Sequence, residues 1–373
     1  MLLKRGHMDT NIHANSIEAD TTETQQYNSL PSKEQTSSVV TSAVVKDGTE
    51  SYPADVPSVP IKTIEQTIAG SSWMGWFDAL KQVFPVYLGT HLAFFVISCL
   101  AVLFTIKDFS GQVFPLYTIW HTWDRWDTTL FTTIAQYGYT NLSRTALFPL
   151  YPLLERGLMH LTHGNAFLAG LIISNLAGLG IFIVLYRLVT DDFNAEQAAR
   201  TVLYLALFPT AFYLASGYNE SLFIFFSICV FYNVRRGHWW LAGLFGLLAS
   251  LTRSAGILLF VPFYYEYLRQ HEFQLKRIRL NVLAGMLIPF GLALFAAWCY
   301  HQYHDPLAFS HAQKFWNRYM AFPGFGILRS MYVIERSGGL LSFNALRNLT
   351  DLLPDLFILL FIFLSFVGPW CLP

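Results

Sequence analysis

The distribution of apolar and polar residues divides the chain into a polar first part and a strongly hydrophobic remainder. Residues 1–70 are rich in Ser, Thr, Glu, Gln and Asp, and their scattered valines follow neither a helical nor a strand period. Such a composition buries too little apolar surface to offset the conformational entropy lost on ordering. The pattern therefore predicts a disordered polar tail over residues 1–70, on the cytoplasmic side, followed by a multi-spanning membrane domain over residues 71–373.

Long apolar runs recur in the second part and predict membrane-spanning helices. A helix needs about 20 apolar residues to cross the hydrocarbon core, and residues 83–106 meet this length without a formal charge. The predicted fold class is therefore all-α, a polytopic membrane protein built as a helical bundle. Further apolar segments lie at approximately 166–189, 200–217, 219–234, 238–252, 255–268, 280–303 and 354–370.

A polar loop over residues 107–145 follows the first apolar run and contains one amphipathic stretch. Leu130, Ile134 and Tyr137 recur at i, i+4 and i+7, and Gly138 can end a helix there. Such a helix lies on a membrane rather than across it. The pattern predicts an amphipathic helix in the first outward loop.

Residues 146–161 are apolar but do not have the pattern of a regular span. Pro149 and Pro152 would break the backbone hydrogen-bond ladder of a helix, and Glu155 and Arg156 place two charges inside the segment. We interpret it as a re-entrant or interfacial segment.

The positions of Lys and Arg predict the orientation in the membrane, since short cytoplasmic loops carry an excess of these residues. One cluster lies between residues 269 and 279, and Arg235 and Arg236 form a second, so both are expected to face the cytoplasm. Alternation of the spans then brings four polar stretches to the opposite face: the loop containing Asp127 and the turns at residues 218–221, 252–254 and 304–306.

Composition excludes several classes of protein. Hydrophobic residues make up 54% of the chain and charged residues 13%, against about 25% charged in a typical soluble domain. Lys and Arg equal Asp and Glu at 24 each, so no basic field exists to bind nucleic acid by counterion release. The cysteines lie far apart without a CxxC pair and are interpreted as packing residues: Cys99, Cys229, Cys299 and Cys371.

The pentapeptide at residues 123–127 is the strongest candidate for chemistry. Three charges alternate with two tryptophans there, and an uncompensated charge at bilayer depth costs roughly 2.5–3.5 kcal/mol. Asp124 and Asp127 would share one face of a helix at i, i+3. A carboxylate here can take a proton from a hydroxyl held within about 3 Å. The alternative is an interfacial aromatic belt in which Arg125 pairs with an aspartate.

An ordered set of motifs extends over about residues 120–316. It consists of Arg125-Trp126-Asp127, Ile134-Ala135, Gly138-Tyr139, Phe148-Pro149-Leu150-Tyr151-Pro152, Asn175, Phe208-Pro209-Thr210-Ala211-Phe212, Tyr218-Asn219-Glu220-Ser221-Leu222-Phe223, Thr252-Arg253-Ser254 with Gly256, Asp305 and, more loosely, Gln313 and Trp316. This set resembles the PIG-V family of mannosyltransferases, including its bacterial relatives. The resemblance implies a GT-C fold, a multi-spanning glycosyltransferase that uses a polyprenyl-phosphate sugar and has an aspartate in its first outward loop as catalytic base. By this match the base is Asp127.

The implied reaction is an inverting transfer of mannose from a lipid-linked donor to a hydroxyl of a lipid, glycan or protein at the non-cytoplasmic face. It needs one base and donors for the departing phosphate, and no second carboxylate. No cofactor is expected. Arg253 is the candidate phosphate partner, because guanidinium binds two phosphate oxygens and keeps its charge; the alternative is a snorkelling arginine at a helix end.

The other candidate substrate-binding residues lie in the outward turns. Tyr218, Asn219 and Glu220 are expected to bind sugar hydroxyls or place the acceptor, with a capped membrane hairpin as the equal alternative. The remaining candidates are Asp124, Arg125, Trp126, Asp305 and Gln313.

A metal site is not predicted. The spacings of His301, His304, Asp305 and His311 do not define one helical face. Residues 314–318 contain Lys314, Trp316 and Arg318, for which an interfacial role is favoured over a role as additional donors.

Two functions from other classes remain open. A transporter or flippase for a lipid-linked sugar would need essential charges at several depths, whereas these charges lie in turns on one side. A non-catalytic accessory subunit is the other alternative. It follows from the chain ending at Pro373 soon after one late apolar run, whereas such enzymes usually continue through further spans; a C-terminally shortened membrane domain is therefore an expectation. The tail and compact loops favour a bacterial cell membrane, with the endoplasmic reticulum as the alternative.

Overall fold

The computed structural model describes residues 61–105, 116–208, 210–316, 318, 324–339 and 341–367. Within these ranges the chain is helical and contains no strand, which confirms the all-α prediction. Residues 1–60 of the predicted tail, Pro209 and Cys371 lie outside the described residues. The α-helices are α1 (Ile61–Thr105), α2 (Leu116–Trp123), α3 (Asp127–Tyr137), α4 (Leu150–Met159), α5 (Ala166–Asp192), α6 (Ala195–Leu207), α7 (Glu220–Arg235), α8 (Trp239–Thr252), α9 (Phe260–Gln270), α10 (Leu287–Tyr303), α11 (Ala308–His311), α12 (Phe325–Glu335) and α13 (Phe343–Phe366).

The first helix begins earlier than the sequence pattern predicted. α1 starts at Ile61, so the boundary drawn at residue 70 falls inside this helix. The reason is visible in the sequence, because Ile61, Ile64 and Ile68 follow a helical spacing that continues into the apolar run.

Three helical stretches in the described ranges are long and apolar enough to cross a membrane: Trp73–Leu103, Ala166–Asp192 and Leu280–Tyr303. They coincide with three of the predicted runs. Most of the other predicted apolar runs form shorter helices. The run at 200–217 is divided after Leu207, and the run at 255–268 changes from 3₁₀ to α geometry at Phe260. Pro262 and Pro289 lie in the first turns of α9 and α10, where a missing N–H is tolerated.

The core of the bundle is built from α5, α7, α8 and α10, and α1 packs on α5 and α6. Aromatic side chains fill much of this core, including fully buried Phe263, Tyr267 and Phe295. Cys229 and Cys299 are buried and form no disulfide, as packing residues would. Gly243 lets α8 approach its neighbour closely, because a Cβ there would lie 2.2 Å from the carbonyl oxygen of Ala284.

The two predicted basic clusters lie at the same end of the bundle. The Gln270 side chain at the end of α9 donates to the carbonyl of Val234 at the end of α7 at 2.8 Å. At this end Arg235 pairs with Asp192, and Arg236 pairs with Asp191. The charged residues of α5 and α7 therefore form an interhelical ion-pair network, and α9 joins this end through Gln270.

The segment at 146–161 forms a short helix. α4 contains ten residues, about 15 Å of helix, which is too short to cross a membrane. Its prolines begin the helix instead of breaking it, because Pro149 is the N-cap and Pro152 lies in the first turn. α4 packs along the first turns of α5 and against α3.

A glycine in the 3₁₀ segment Ser254–Leu259 supports the turn that carries Arg253. A Cβ at Gly256 would lie 2.4 Å from the backbone N of Ser250 and 2.5 Å from the carbonyl carbon of Ala249. Because these are backbone atoms of α8, they cannot move aside locally. We expect Gly256→Ala to lower the free energy of unfolding by about 1–3 kcal/mol, measured by thermal unfolding in detergent.

The control for this prediction is Gly157→Ala in α4. A Cβ at Gly157 meets no atom within 4 Å, and alanine is the better helix former. Equal unfolding midpoints for the two variants would contradict the close approach at Gly256.

Candidate active site

The turn between α2 and α3 contains Asp124, Arg125 and Trp126. Trp126 has φ 58° and ψ −123°, a conformation that is strained for a residue with a Cβ, and its side chain is 82% exposed. Asp127 is the first residue of α3. The expectation that Asp124 and Asp127 share a helical face is wrong, because Trp126 interrupts the helical geometry between them.

α3 confirms the predicted amphipathic helix, although its buried face is shifted. Gly138 ends it with φ 77°, and its N–H donates to the carbonyl of Ile134. The side chains that pack inward are Phe131, Ile134 and Ala135, whereas Tyr137 is exposed. The positive end of the α3 dipole lies at Asp127 and favours a negative charge there.

Asp127 lines a cavity of about 380 Å³ on the side of the bundle opposite the ion-pair network. Four of the predicted site residues border this cavity: Asp127, Asn219, Arg253 and Gln313. The predicted proton acceptor and the predicted phosphate partner therefore share one cavity. The other lining residues are Phe131, Ala146, Leu147, Phe148, Thr252, Ser254, Phe309, Ser310 and Arg318.

The charges around the cavity shift the pKa of Asp127 in opposite directions. Burial is the larger cause that raises the pKa of the Asp127 carboxyl, and the carboxylate of Glu220 raises it further. Arg318 and Arg253 oppose this rise. The result is a carboxylate of increased proton affinity beside two cations, which is the character required of a general base.

Arg253 is fixed by the first residues of α7. Its Nη1 donates to Glu220 Oε1 at 2.5 Å and to Asn219 Oδ1 at 3.3 Å. The Asn219 amide in turn donates to the carbonyl of Thr252 at 2.9 Å. The second carboxylate oxygen of Glu220 is buried and has no hydrogen-bond partner among the residues the structure describes. The hairpin turn thus holds the guanidinium through Asn219 and Glu220, although Asn219 makes no side-chain cap hydrogen bond to α7.

Tyr218 lies behind the turn and is not a lining residue of the cavity. Its carbonyl accepts from Ser174 at 2.8 Å, and its hydroxyl lies 3.5 Å from the carbonyl of Arg125. Of the predicted residues, Asp124, Arg125, Trp126 and Tyr218 therefore do not line the cavity: the first three form the turn before α3, and Tyr218 contacts that turn through the Arg125 carbonyl.

Asp305 is placed differently from the prediction, since it is not among the cavity-lining residues. Its carboxylate pairs with His311 Nδ1 at 2.7 Å and accepts from the Leu307 N–H at 3.0 Å. The hydrogen bond from His311 lowers the pKa of Asp305. Asp305 thus shapes the turn that leads to Phe309 and Ser310, which do line the cavity.

Arg318 is the functional candidate whose position the sequence did not indicate. It was interpreted as interfacial, but the structure places it at the cavity, with its N–H bonded to the carbonyl of Gln313. The signal available in the sequence was Gln313, which was a predicted site residue. Arg318 follows it by only five positions and can therefore reach the same wall of the cavity. Among the described residues, no group of three or more His, Cys, Asp and Glu is arranged to hold a metal ion.

A second cavity of about 350 Å³ lies beside the first and is mainly apolar. Phe148 borders the Asp127 cavity, and its ring packs at 5.0 Å from that of Phe295, which borders the second cavity. The lining residues are Ile134, Gly138, Tyr139, Pro149, Pro152, Leu153, Arg156, Leu251, Leu294, Phe295 and Trp298.

Comparison with known proteins links this chain to one family. The family model described as "Mannosyltransferase (PIG-V)" matches residues 98–371. A mouse protein, "GPI alpha-1,6-mannosyltransferase 2", is 31% identical over 147 residues, which cover 36% of this chain and 29% of that protein. A fission yeast protein, "GPI mannosyltransferase 2", is 28% identical over 227 residues, which cover 54% of this chain and 48% of that protein.

A third relative, "GPI mannosyltransferase 2" of Yarrowia lipolytica, is 27% identical over 161 residues, which cover 43% of this chain and 44% of that protein. The chain therefore spans less than half the length of these curated relatives. No solved structure matches the chain at a significant level.

Proposed function

The chain belongs to the PIG-V mannosyltransferase family, and from this premise we propose that it transfers mannose from a polyprenyl-phosphate-linked donor to an acceptor hydroxyl, with inversion, at the non-cytoplasmic face of a membrane. One observation carries the proposal: Asp127 borders the same cavity as Arg253 and Arg318. A base and a pair of cations are the groups that a single displacement at a sugar phosphate requires.

In the proposed reaction Asp127 accepts the proton of the acceptor hydroxyl. The acceptor oxygen forms a bond to the anomeric carbon of mannose as the bond from that carbon to the phosphate oxygen breaks. The phosphate leaves on the lipid with the bonding electron pair, and Arg253 and Arg318 stabilise its charge. The proton stays on Asp127 until water removes it. Every group in this scheme belongs to the chain or to its two substrates.

The apolar cavity supports a lipid-linked donor over a soluble nucleotide sugar. The walls of the two cavities meet where the rings of Phe148 and Phe295 pack together. We therefore place the donor's phosphate against the arginines and its first isoprene units among the apolar side chains next to them. Burial of such units stabilises the complex in proportion to the apolar area removed from water.

Leu294→Trp tests this use of the apolar cavity. The larger side chain fills part of the cavity, and we expect the KM for a long-chain polyprenyl-phosphate mannose to rise about tenfold with kcat unchanged. A donor whose phosphate carries a methyl group in place of the isoprene chain is expected to lose much less. Phe290→Trp on the same helix, which is exposed and not a cavity residue, is the matched control. Equal KM changes for both donors would contradict the assignment.

The activity itself is tested with purified protein in lipid vesicles, radiolabelled polyprenyl-phosphate mannose and a panel of acceptors. The panel includes a glycolipid of the GPI type, because the names of the relatives point to GPI. We expect a labelled product whose anomeric configuration is opposite to that of the donor, and no product from GDP-mannose. Movement of the label across the bilayer without a new glycosidic bond would favour the transporter alternative. The absence of both transfer and movement would favour the accessory subunit.

The location within the cell also remains a proposal. The apolar helices identify a membrane protein. A bacterial cell membrane stays a prediction, with the endoplasmic reticulum as its alternative, since the relatives compared above are eukaryotic.

A further inference from the structure

A polar contact joins α1 and α5 inside the bundle and is not used by the proposed reaction. His91 lies in the apolar stretch Trp73–Leu103 of α1, which is long enough to cross a membrane, and Asn175 lies within α5. The family model begins at residue 98, so His91 precedes the matched region. Polar side chains in membrane spans are costly and usually pair with one another or with backbone carbonyls. This pair therefore calls for an explanation.

The side-chain amide of Asn175 has a defined orientation. Its Nδ2 donates to the carbonyl of Leu171 at 2.7 Å and to the carbonyl of Ala215 at 3.0 Å. A flipped amide would place its oxygen against these two carbonyls, which can only accept hydrogen bonds. The Oδ1 atom therefore faces α1, and it needs donors from that helix.

His91 is the closest donor to this oxygen. Its Nε2 lies 2.6 Å from Asn175 Oδ1, and its Nδ1 lies 2.8 Å from the carbonyl of Tyr87, one turn earlier in α1. Both oxygens only accept, so the ring makes both contacts with a hydrogen on each nitrogen. The Tyr87 ring packs against the imidazole with the centroids 4.0 Å apart, and its hydroxyl donates to the backbone carbonyl of Asn175 at 2.9 Å.

The surroundings offer these two side chains few other polar partners. Both border a cavity of about 180 Å³. Its other lining residues are Phe94, Phe95, Ile119, Trp120, Trp123, Leu171 and Ala215, and none of these has a titratable side chain. Without His91, Asn175 Oδ1 would keep only the weak contact from the Tyr87 hydroxyl at 3.5 Å. A buried acceptor that loses its donor destabilises the arrangement that buries it.

Asn175 connects this contact to the active site through the turn before α7, which consists of residues 211–218. This turn leads directly into the first residues of α7, which fix the guanidinium at the charged cavity. Two adjacent side chains of α5 donate to carbonyls of the turn: Asn175 to Ala215 at 3.0 Å and Ser174 to Tyr218 at 2.8 Å. The hydrogen bonds from His91 and Asn175 therefore form a chain from α1 to the turn.

We propose that His91 is a positioning residue for the phosphate-binding side of the active site. Its Nε2–H holds the Asn175 amide in the orientation that binds the Ala215 carbonyl, and this keeps the turn before α7, and with it Arg253, in place. The proposal rests on the proposed function, in which Arg253 binds the phosphate. The hydrogen bond from Ser174 remains when His91 is replaced, so the expected loss is moderate.

The first test replaces the donor and keeps a ring at the same position. We expect His91→Phe to lower kcat about tenfold, the effect of losing one buried hydrogen bond. His91→Gln places an amide N–H2 at a similar reach and should stay within about threefold of the wild type. The matched control is Thr90→Val, which removes a hydrogen bond that stays within α1 and should leave kcat unchanged. Wild-type kcat in His91→Phe would overturn the proposal.

A double-variant cycle tests whether His91 acts through Asn175. We expect Asn175→Leu to lower kcat at least as much as His91→Phe, and the double variant to be no slower than Asn175→Leu alone. Asn175→Asp keeps an acceptor for His91 but loses the donor to Ala215, and it should be as slow as Asn175→Leu. Additive losses in the double variant, or wild-type kcat in Asn175→Asp, would contradict the role of His91.

Two measurements without turnover keep this test separate from the proposed function. The Ser216 and Tyr218 N–H groups bond within the turn before α7, and their hydrogen exchange should be faster in His91→Phe than in Thr90→Val. Nitrogen NMR of ¹⁵N-histidine protein, with the signal assigned by its loss in His91→Gln, should show a hydrogen on Nε2. Equal exchange in the two variants, or a bare Nε2, would overturn the proposal. Absence of mannosyl transfer by the wild type would instead reject the proposed function.

Discussion

We expect Asp127→Asn to abolish mannosyl transfer while the protein remains folded and inserted in the membrane. The amide has the size of the carboxyl but cannot accept the hydroxyl proton, and loss of a general base lowers turnover by about 100- to 10,000-fold. The stability of the folded protein should not decrease. Burial and the Glu220 carboxylate both disfavour the ionised form of Asp127, so a neutral amide is tolerated there. Turnover is measured with the labelled donor, and folding by thermal unfolding.

The matched control is Asp78→Asn, the same substitution at an exposed position of α1, which should leave turnover unchanged. Turnover by Asp127→Asn above one tenth of the wild-type value would remove the assignment of the base. The wild type adds a second check. The pKa of Asp127 is raised, so the base is lost by protonation as the pH falls through that raised value, and acid should inhibit at higher pH than for an ordinary aspartate.

The cavity was predictable from the sequence because its residues occupy turns at one end of successive helices. Positions 219, 253 and 127 are far apart in the chain, but helices that alternate in direction return their ends to the same face. The short polar interruptions of long apolar runs marked those ends. The base itself came from the family resemblance and not from the pattern, since the pattern left an aromatic belt as an alternative.

The turn geometry could not be predicted from the sequence. A tryptophan with positive φ has no sequence signal, because this residue type rarely adopts that conformation. The i, i+3 argument for Asp124 and Asp127 assumed a continuous helix and therefore failed. The partners of Asp305 could not be predicted either, since the Leu307 N–H and His311 reach its two carboxylate oxygens only once the chain has turned at residues 304–307.

The lengths of the helices show a different limit of the sequence. Hydrophobicity locates apolar segments well but does not show where a helix changes to 3₁₀ geometry. The 3₁₀ segment before Phe260 packs Gly256 tightly against the backbone of α8, a contact that the local sequence does not show. Local pattern therefore gave the order of the segments, and tertiary contacts fixed their ends.

Replacing Arg253 by Met should lower turnover about 100- to 1,000-fold, the usual effect of removing one donor to charge that develops in a transition state. Arg253→Lys should recover only part of this loss, because an ammonium lacks the planar set of donors that can contact Glu220 and a phosphate together. Arg200→Met, at an exposed pair with Glu196, is the control and should have little effect.

Arg253 also pairs with Glu220, so a structural role must be separated from phosphate binding. Loss of the guanidinium leaves Glu220 without its cation, and it removes an influence that lowers the pKa of Asp127. The acid limb of Arg253→Met should therefore move to higher pH. Adding Glu220→Gln removes the unpaired charge and should restore the unfolding midpoint. If this double variant also restored turnover, Arg253 would act only through Glu220; we expect stability to return and turnover to stay low, because the phosphate still lacks its partner.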